Sequence, residues 1–206
     1  MKKVFTLLLA AFMMLAFSAC NSCDRQIEKE QTVEEFISAD TAYMTANYDT
    51  TYVWFETQIV LNNYLDEESC DGSFEKVINI FEVITKVDSA SYNTLVVKMI
   101  HIGDSLEIQA SEDFWIEDMV MNKEPISVTY AEAFNLMNTS NYMKPHAKYC
   151  VLRKEVGLVV ANAQYIFGDI VSQIYVDAIT GDVSDESPSF PNNEVEIEDC
   201  VNDTVQ

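Results

Sequence analysis

Histidine and glycine are scarce in this chain, and their scarcity narrows its chemistry. It has two histidines, His101 and His146, neither with a partner at ligand spacing. A zinc site of the usual kind or a catalytic triad needs more than that. Both read as solvent-exposed polar residues, His101 at a strand end and His146 in a loop after Pro145. Five glycines leave scarcely any room for phosphate-cradling loops, and no Gly-x-Ser-x-Gly or His-Glu-x-x-His occurs. Basic residues are also few: 12 Lys and Arg face 34 Asp and Glu, a net charge of −22. A field of that sign repels phosphates and anionic headgroups, so nucleic acid is excluded as a partner. The expected set of catalytic residues is empty, as are those of metals and cofactors.

What is present begins at the N-terminus. Lys2-Lys3 precede an apolar run from Val4 to Phe17, which closes on Ser18-Ala19-Cys20. A charged start, a short apolar segment and small residues before a cut describe an export signal over residues 1–19. The run is shorter than the roughly 20 residues that span a bilayer. A cysteine after the cut marks a bacterial lipoprotein, with acyl chains such as palmitate on Cys20; Phe17 stands where the usual pattern has Leu. The membrane is then a partner through those chains. Asn21 carries no retaining charge, so an outer-membrane address is expected, with the periplasmic and surface faces both open. Removing 19 of the 206 residues leaves 187, with 10 basic residues against 34 acidic ones. Hydrophobic residues are 49% of the chain, enough to fill a core.

Of the five cysteines, Cys20 is taken by lipid. Cys23, Cys70, Cys150 and Cys200 remain, and four cysteines allow three pairings. Cys150 lies in a strand-like run and reads equally as a buried thiol. Cys70 and Cys200 lie in acidic, turn-rich surroundings and read as exposed.

Residues 20–31 read as a lipidated tether. Thr32-Val33-Glu34-Glu35 is a capping box opening a helix near 33–47. The period then switches to two: strands are expected near 53–61, 75–87, 92–101, 105–110 and 114–121, in an antiparallel meander. Thr129-Tyr130-Ala131-Glu132 is a second capping box, opening a helix that ends near Asn141. Strand-like runs follow at 147–156, 163–170 and 173–178. The fold class is therefore α+β, a helix followed by antiparallel strands, in the same order in residues 32–124 and 125–184. Residues 185–206 read as an acidic mobile tail.

Ile174-Tyr175-Val176-Asp177-Ala178-Ile179-Thr180-Gly181-Asp182-Val183, with Tyr130-Ala131-Glu132-Ala133 opening the helix, gives residues 127–184 a resemblance to the PepSY domain. That resemblance implies a helix packed on a three-stranded antiparallel sheet. The whole arrangement is similar to the tandem PepSY-like lipoproteins of Bacteroidetes, which implies a binding or inhibitory module without catalytic residues. Independently of any family, Gly181 supplies the positive φ of a tight reversal, and Asp177 and Thr180 can bond the turn's amides.

The acidic turn Asp66–Gly72 invites a calcium reading. Gly72 at the sixth loop position places Ile78 at the twelfth, which cannot supply the bidentate carboxylate, so an EF-hand is excluded. The one basic cluster is Lys144, His146, Lys148, Arg153 and Lys154. It pairs internally or faces a partner, an acidic protein or an anionic polymer. Tyr52, Trp54 and Trp115 are candidates for an aromatic contact face. The function expected is a non-enzymatic, protease-inhibitor-like binding module in the cell envelope. The alternatives are a hydrolase using carboxylates alone and a structural subunit of an envelope assembly.

Overall fold

The computed structural model describes residues 31–48, 52–86, 92–115, 120–121, 125–154 and 162–188. Cys20, Cys23, Cys200, the signal segment and the tail beyond Pro188 lie outside them.

Helix α1 (Val33–Tyr48) starts at its predicted box: Thr32 N donates to Glu35 Oε2 at 3.0 Å and Glu35 N to Thr32 Oγ1 at 3.2 Å. Its buried residues Val33, Phe36, Asp40 and Met44 recur every three or four positions, the stripe of a helix with one covered face. Strands β1 (Tyr52–Leu61), β2 (Phe74–Lys86), β3 (Tyr92–Ile102) and β4 (Ser105–Ser111) follow. Helix α2 (Tyr130–Thr139) has the second box, closed in both directions between Thr129 and Glu132. The Thr129 amide and hydroxyl, both donating to Glu132 Oε2, hold its carboxyl below the usual range. Strands β5 (Tyr149–Arg153), β6 (Gln164–Gly168), β7 (Gln173–Asp177) and β8 (Val183–Ser184) complete the order.

All eight strands join one sheet in the order β4-β3-β2-β1-β5-β6-β7-β8, every neighbouring pair antiparallel. The architecture is α+β, as expected. β1 and β5 meet at the centre, with Glu56 opposite Arg153 and Val60 opposite Tyr149. Two details differ from expectation. Phe114, Trp115, Val120 and Met121 lie in no strand, because Trp115 N turns back to donate to Glu82 on β2 and Met121 N to the Trp54 carbonyl. The C-terminal sheet region also carries a fourth strand, β8, two residues long.

Both helices share one apolar core. It joins Phe36 and Met44 of α1 and Phe134 and Met137 of α2 to inward residues of the strands, such as Phe81, Leu152, Tyr165 and Phe167. Fully burying each large side chain contributes on the order of 1.5–3 kcal/mol. Glu34 of α1 accepts the Tyr130 amide at 2.6 Å, placing a carboxylate at the N-terminus of α2. Tyr130 in turn donates its hydroxyl to the Gly72 carbonyl at 2.8 Å. A Cβ on Gly72 would stand 2.7 Å from the Phe134 ring, so this approach requires glycine. The described residues from Thr32 onward form one compact unit.

Among the described residues, a polar chain crosses the core. Thr57 Oγ1 donates to Asn79 Oδ1, Asn79 Nδ2 donates to Asp40 Oδ2 at 2.7 Å, and His101 Nε2 lies 2.8–2.9 Å from both Asp40 oxygens. His101 is therefore buried beneath α1, with Phe36 against its ring, and is not the exposed strand end that the sequence suggested. The partner that accounts for this, Asp40, is 61 residues away. Trp54 is likewise buried in the helix-side core, and Tyr52 packs on Phe81. Cys150 is a buried free thiol and Cys70 a half-buried one. Burial pushes the Cys150 thiol up, and such a thiol is a poor nucleophile.

Candidate binding surface

Three connections meet at the sheet end where β1 stops and β5 begins. They are the loop 62–73, the loop 140–148 and the β6–β7 turn 168–172. The first two are zipped by backbone: Leu61 N donates to the Lys148 carbonyl at 3.0 Å and Leu65 N to the Ala147 carbonyl at 2.9 Å. That zipper extends the β1·β5 pairing beyond the sheet and fixes where the side chains of both loops stand.

On this frame four side chains stack. Lys148 Nζ sits 4.9 Å from the Tyr64 ring centre and donates to the Asn62 carbonyl at 2.7 Å. The Tyr64 ring also stacks on His146, with ring centres 4.2 Å apart and planes 5° from parallel. His146 Nδ1 then pairs with Asp66 at 3.0 Å. The imidazole is 69% exposed and the carboxylate 40%, so the stack is a surface feature. Nearby, Asp71 accepts the Ser73 amide at 2.9 Å, and hydrogen bonds from Ser73 hold its carboxyl below the usual range.

The β6–β7 turn supplies the apolar part. Gly168 has φ +129°, and a Cβ there would meet the Ser172 carbonyl at 2.1 Å and Pro145 Cγ at 3.0 Å. Only glycine fits between the turn and the 140–148 loop. Asp169 Oδ1 accepts the amides of Val171 at 2.8 Å and Ser172 at 3.3 Å. This Asx turn points Ile170 and Val171 outward, 99% and 87% exposed, with Met143 88% exposed on the adjoining loop.

The predicted basic cluster divides over this geometry. His146 and Lys148 belong to the stack, and Lys144 Nζ donates to Asn138 near the end of α2. Arg153, at the far end of β5, faces away from the helices between Glu56 and Gln164. Lys154 follows it, half-buried. Cys20 lies outside the described residues. Of the predicted aromatics, Trp115 is half-buried with Lys98 Nζ 5.1 Å from its ring. Ile170, Val171 and Tyr64 carry no signal of their own for this surface in the sequence, and Asp66, read there within an acidic turn, pairs with His146. Gly168-Asp169 is the available signal, a turn pair inside a run, 163–170, whose composition predicts a continuous strand.

Buried carboxylates among the described residues are Asp40, Glu56 and Glu82. Asp40 takes His101 and Asn79, Glu56 accepts the Gln58 amide at 2.5 Å, and Glu82 accepts the Trp115 backbone amide at 2.9 Å. At the turn after β7, Asp177 Oδ1 accepts the amides of Ile179 and Thr180 at 2.8 and 2.9 Å, and Gly181 has φ +79°. Burial raises the Asp177 carboxyl, but these amides together with Asn162 and Gln164 outweigh it and leave the net shift downward. Asp177 thus organises its own turn. Comparison with protein-family models, with curated proteins and with solved structures returned no match to this chain.

Proposed function

We propose that this chain is a lipid-anchored envelope lipoprotein that acts as a non-enzymatic, inhibitor-like binding module, with the loop end of the sheet as its contact surface. The observation that carries the reading is the Ile170-Val171 tip: two apolar side chains, almost fully exposed, on a turn fixed by Gly168 and Asp169. Exposing such groups without burying them later is unfavourable, and rigid apolar anchors are what interface centres use. The Lys148–Tyr64–His146–Asp66 stack adds a polar rim of both signs. A protein with an apolar pocket and a charged margin is the partner this surface fits.

The two halves are, in this reading, repeats of a PepSY-like unit. Supporting it, each half opens on a Thr-x-x-Glu capping box, proceeds as one helix and four strands, and places its first strand at the sheet centre. Anchoring through acyl chains on Cys20 would hold the module at the outer membrane. A Cys20→Ala protein that stays equally membrane-bound would rule that out.

A photo-crosslinking residue at position 170 or 143 in intact cells tests the contact surface. It should attach to one envelope protein, whereas the same residue at position 84, at the opposite end of β2, should not. Ile170→Asp with Val171→Asp should abolish that capture. Equal attachment from position 84, or capture that survives the double change, would overturn the reading.

A further inference from the structure

The two edges of the sheet are unequal. β8 is two residues long, whereas β4 presents seven, all exposed, and among the described residues pairs with β3 on one side only. Edge strands offer unpaired backbone groups to any passing strand, and proteins usually blunt them with lysine, proline, bulges or brevity. β4 has none of these. Its register with β3 runs unbroken from Val96–Ser111 to Ile102–Ser105, and its single charge is Glu107.

Its sequence, Ser-Leu-Glu-Ile-Gln-Ala-Ser, has the same alternation of polar and apolar residues read from either end, with Ile108 at the centre. An antiparallel copy related by a two-fold axis at Ile108 would set Ile108 against Ile108. It would also set Leu106 against Ala110, Glu107 against Gln109 and Ser105 against Ser111. Leu106 and Ile108 lie opposite His101 and Met99 on the helix side of the sheet, yet are 48% and 40% exposed. Pairing would cover Ile108 with its own copy and set Ala110 of the second copy against Leu106. Glu107 would meet an amide, and Gln109 Nε2 already donates to Glu107 Oε1 within the strand at 2.9 Å. Moving the axis by one residue to Glu107 would bring two carboxylates face to face, which is unfavourable. Only the Ile108 axis pairs all seven residues.

We infer that β4 is a homodimer edge, where two copies of this chain join through antiparallel β4–β4 pairing centred on Ile108 into one sixteen-stranded sheet. An isologous contact of this kind closes on itself and forms no fibre. Seven paired residues bury less than the roughly 1,200 Å² of a standard interface, so the dimer is concentration-dependent. Asp104 and Glu112 flank the paired segment, and both chains are strongly acidic, so salt strengthens the association by screening.

Cysteine pairs introduced one at a time into the full chain, oxidised with copper-phenanthroline in intact cells, test both contact and register. Ile108→Cys should yield a disulfide dimer at twice the monomer mass. Ser105→Cys and Ser111→Cys should stay monomeric when expressed singly and crosslink when co-expressed. Ile108→Lys, a change at an exposed position, should abolish the dimer seen by sedimentation without altering the circular dichroism spectrum. No Ile108→Cys dimer above the unmodified chain, or equal crosslinking by all three single variants, would overturn the inference. So would a crosslink to a protein of different mass, which would make β4 a docking edge for another chain.

Discussion

Asp40–His101 and Asp66–His146 pair the same two side chains at similar distances, 2.8 and 3.0 Å, but in opposite surroundings. The first lies under α1, where Asn79 and Thr57 continue the hydrogen bonding into the sheet. The second stands on the loop end, where Tyr64 and Lys148 extend it along the surface. Beneath the helix, every member of the chain is desolvated, so losing one partner strands the others without water. On the loops, water replaces a lost partner, and the pair contributes little to stability. One pair therefore fixes where α1 docks, and the other shapes what a partner would touch.

The sharpest way to break this contrast is Asp40→Ala. It leaves His101 Nε2 and Asn79 Nδ2 without their shared acceptor, and urea unfolding should show a loss of about 3–5 kcal/mol. Gly168→Ala comes next. The positive φ and the Ser172 carbonyl leave no space for a methyl group, and such strain costs about 1–3 kcal/mol. The damage should be local, read as faster hydrogen exchange at Val171 and Ser172 than in β1 or β2.

Asp177→Ala should cost about 1–2 kcal/mol, the range for a side chain that caps backbone amides. Its pH dependence has a definite sign. The folded Asp177 carboxyl titrates below its unfolded value of about 3.9, so its contribution is complete above that pH. It disappears as pH falls through the lower folded value. The stability difference between wild type and Asp177→Asn should be flat near pH 6 and shrink below about pH 4. Smallest of all, Asp66→Ala should change unfolding stability by less than about 1 kcal/mol, while weakening whatever binds the loop end.

Sequence and structure agree best where the determinants are local. Each capping box needs only residues three apart, and both formed. β1 announced itself through alternation and the other strands through β-branched and aromatic runs, apart from β8, whose two residues are too few to read. The similar run at 114–121 has no strand at its described residues. The pairing of β1 with β5 was not legible, because nothing local says which strands meet at a sheet's centre. His101 escaped for the same reason, since its aspartate lies 61 residues away, whereas His146 stands exposed in its loop as expected, beside an aspartate 80 residues away. Proximity in sequence found His146 and Lys148, which share one loop and one stack, while Lys144 on the same loop turns to Asn138. Arg153, next in the same cluster, stands on β5 opposite Glu56 and Gln164 and faces the other side of the sheet. The apolar tip was hidden because Ile170 and Val171 have strand-forming side chains, and only Gly168-Asp169 marks the reversal.

A double-mutant cycle on each aspartate–histidine pair, followed by urea unfolding at neutral pH, tests the contrast most directly. Changing Asp40 and His101 to alanine, singly and together, should give a coupling energy of roughly 1–3 kcal/mol, the range for contacting residues in one network. The Asp66 and His146 cycle should give less than about 1 kcal/mol. Equal coupling in the two cycles, or a larger value for the exposed pair, would contradict the assignment of one pair to holding the fold and the other to the surface.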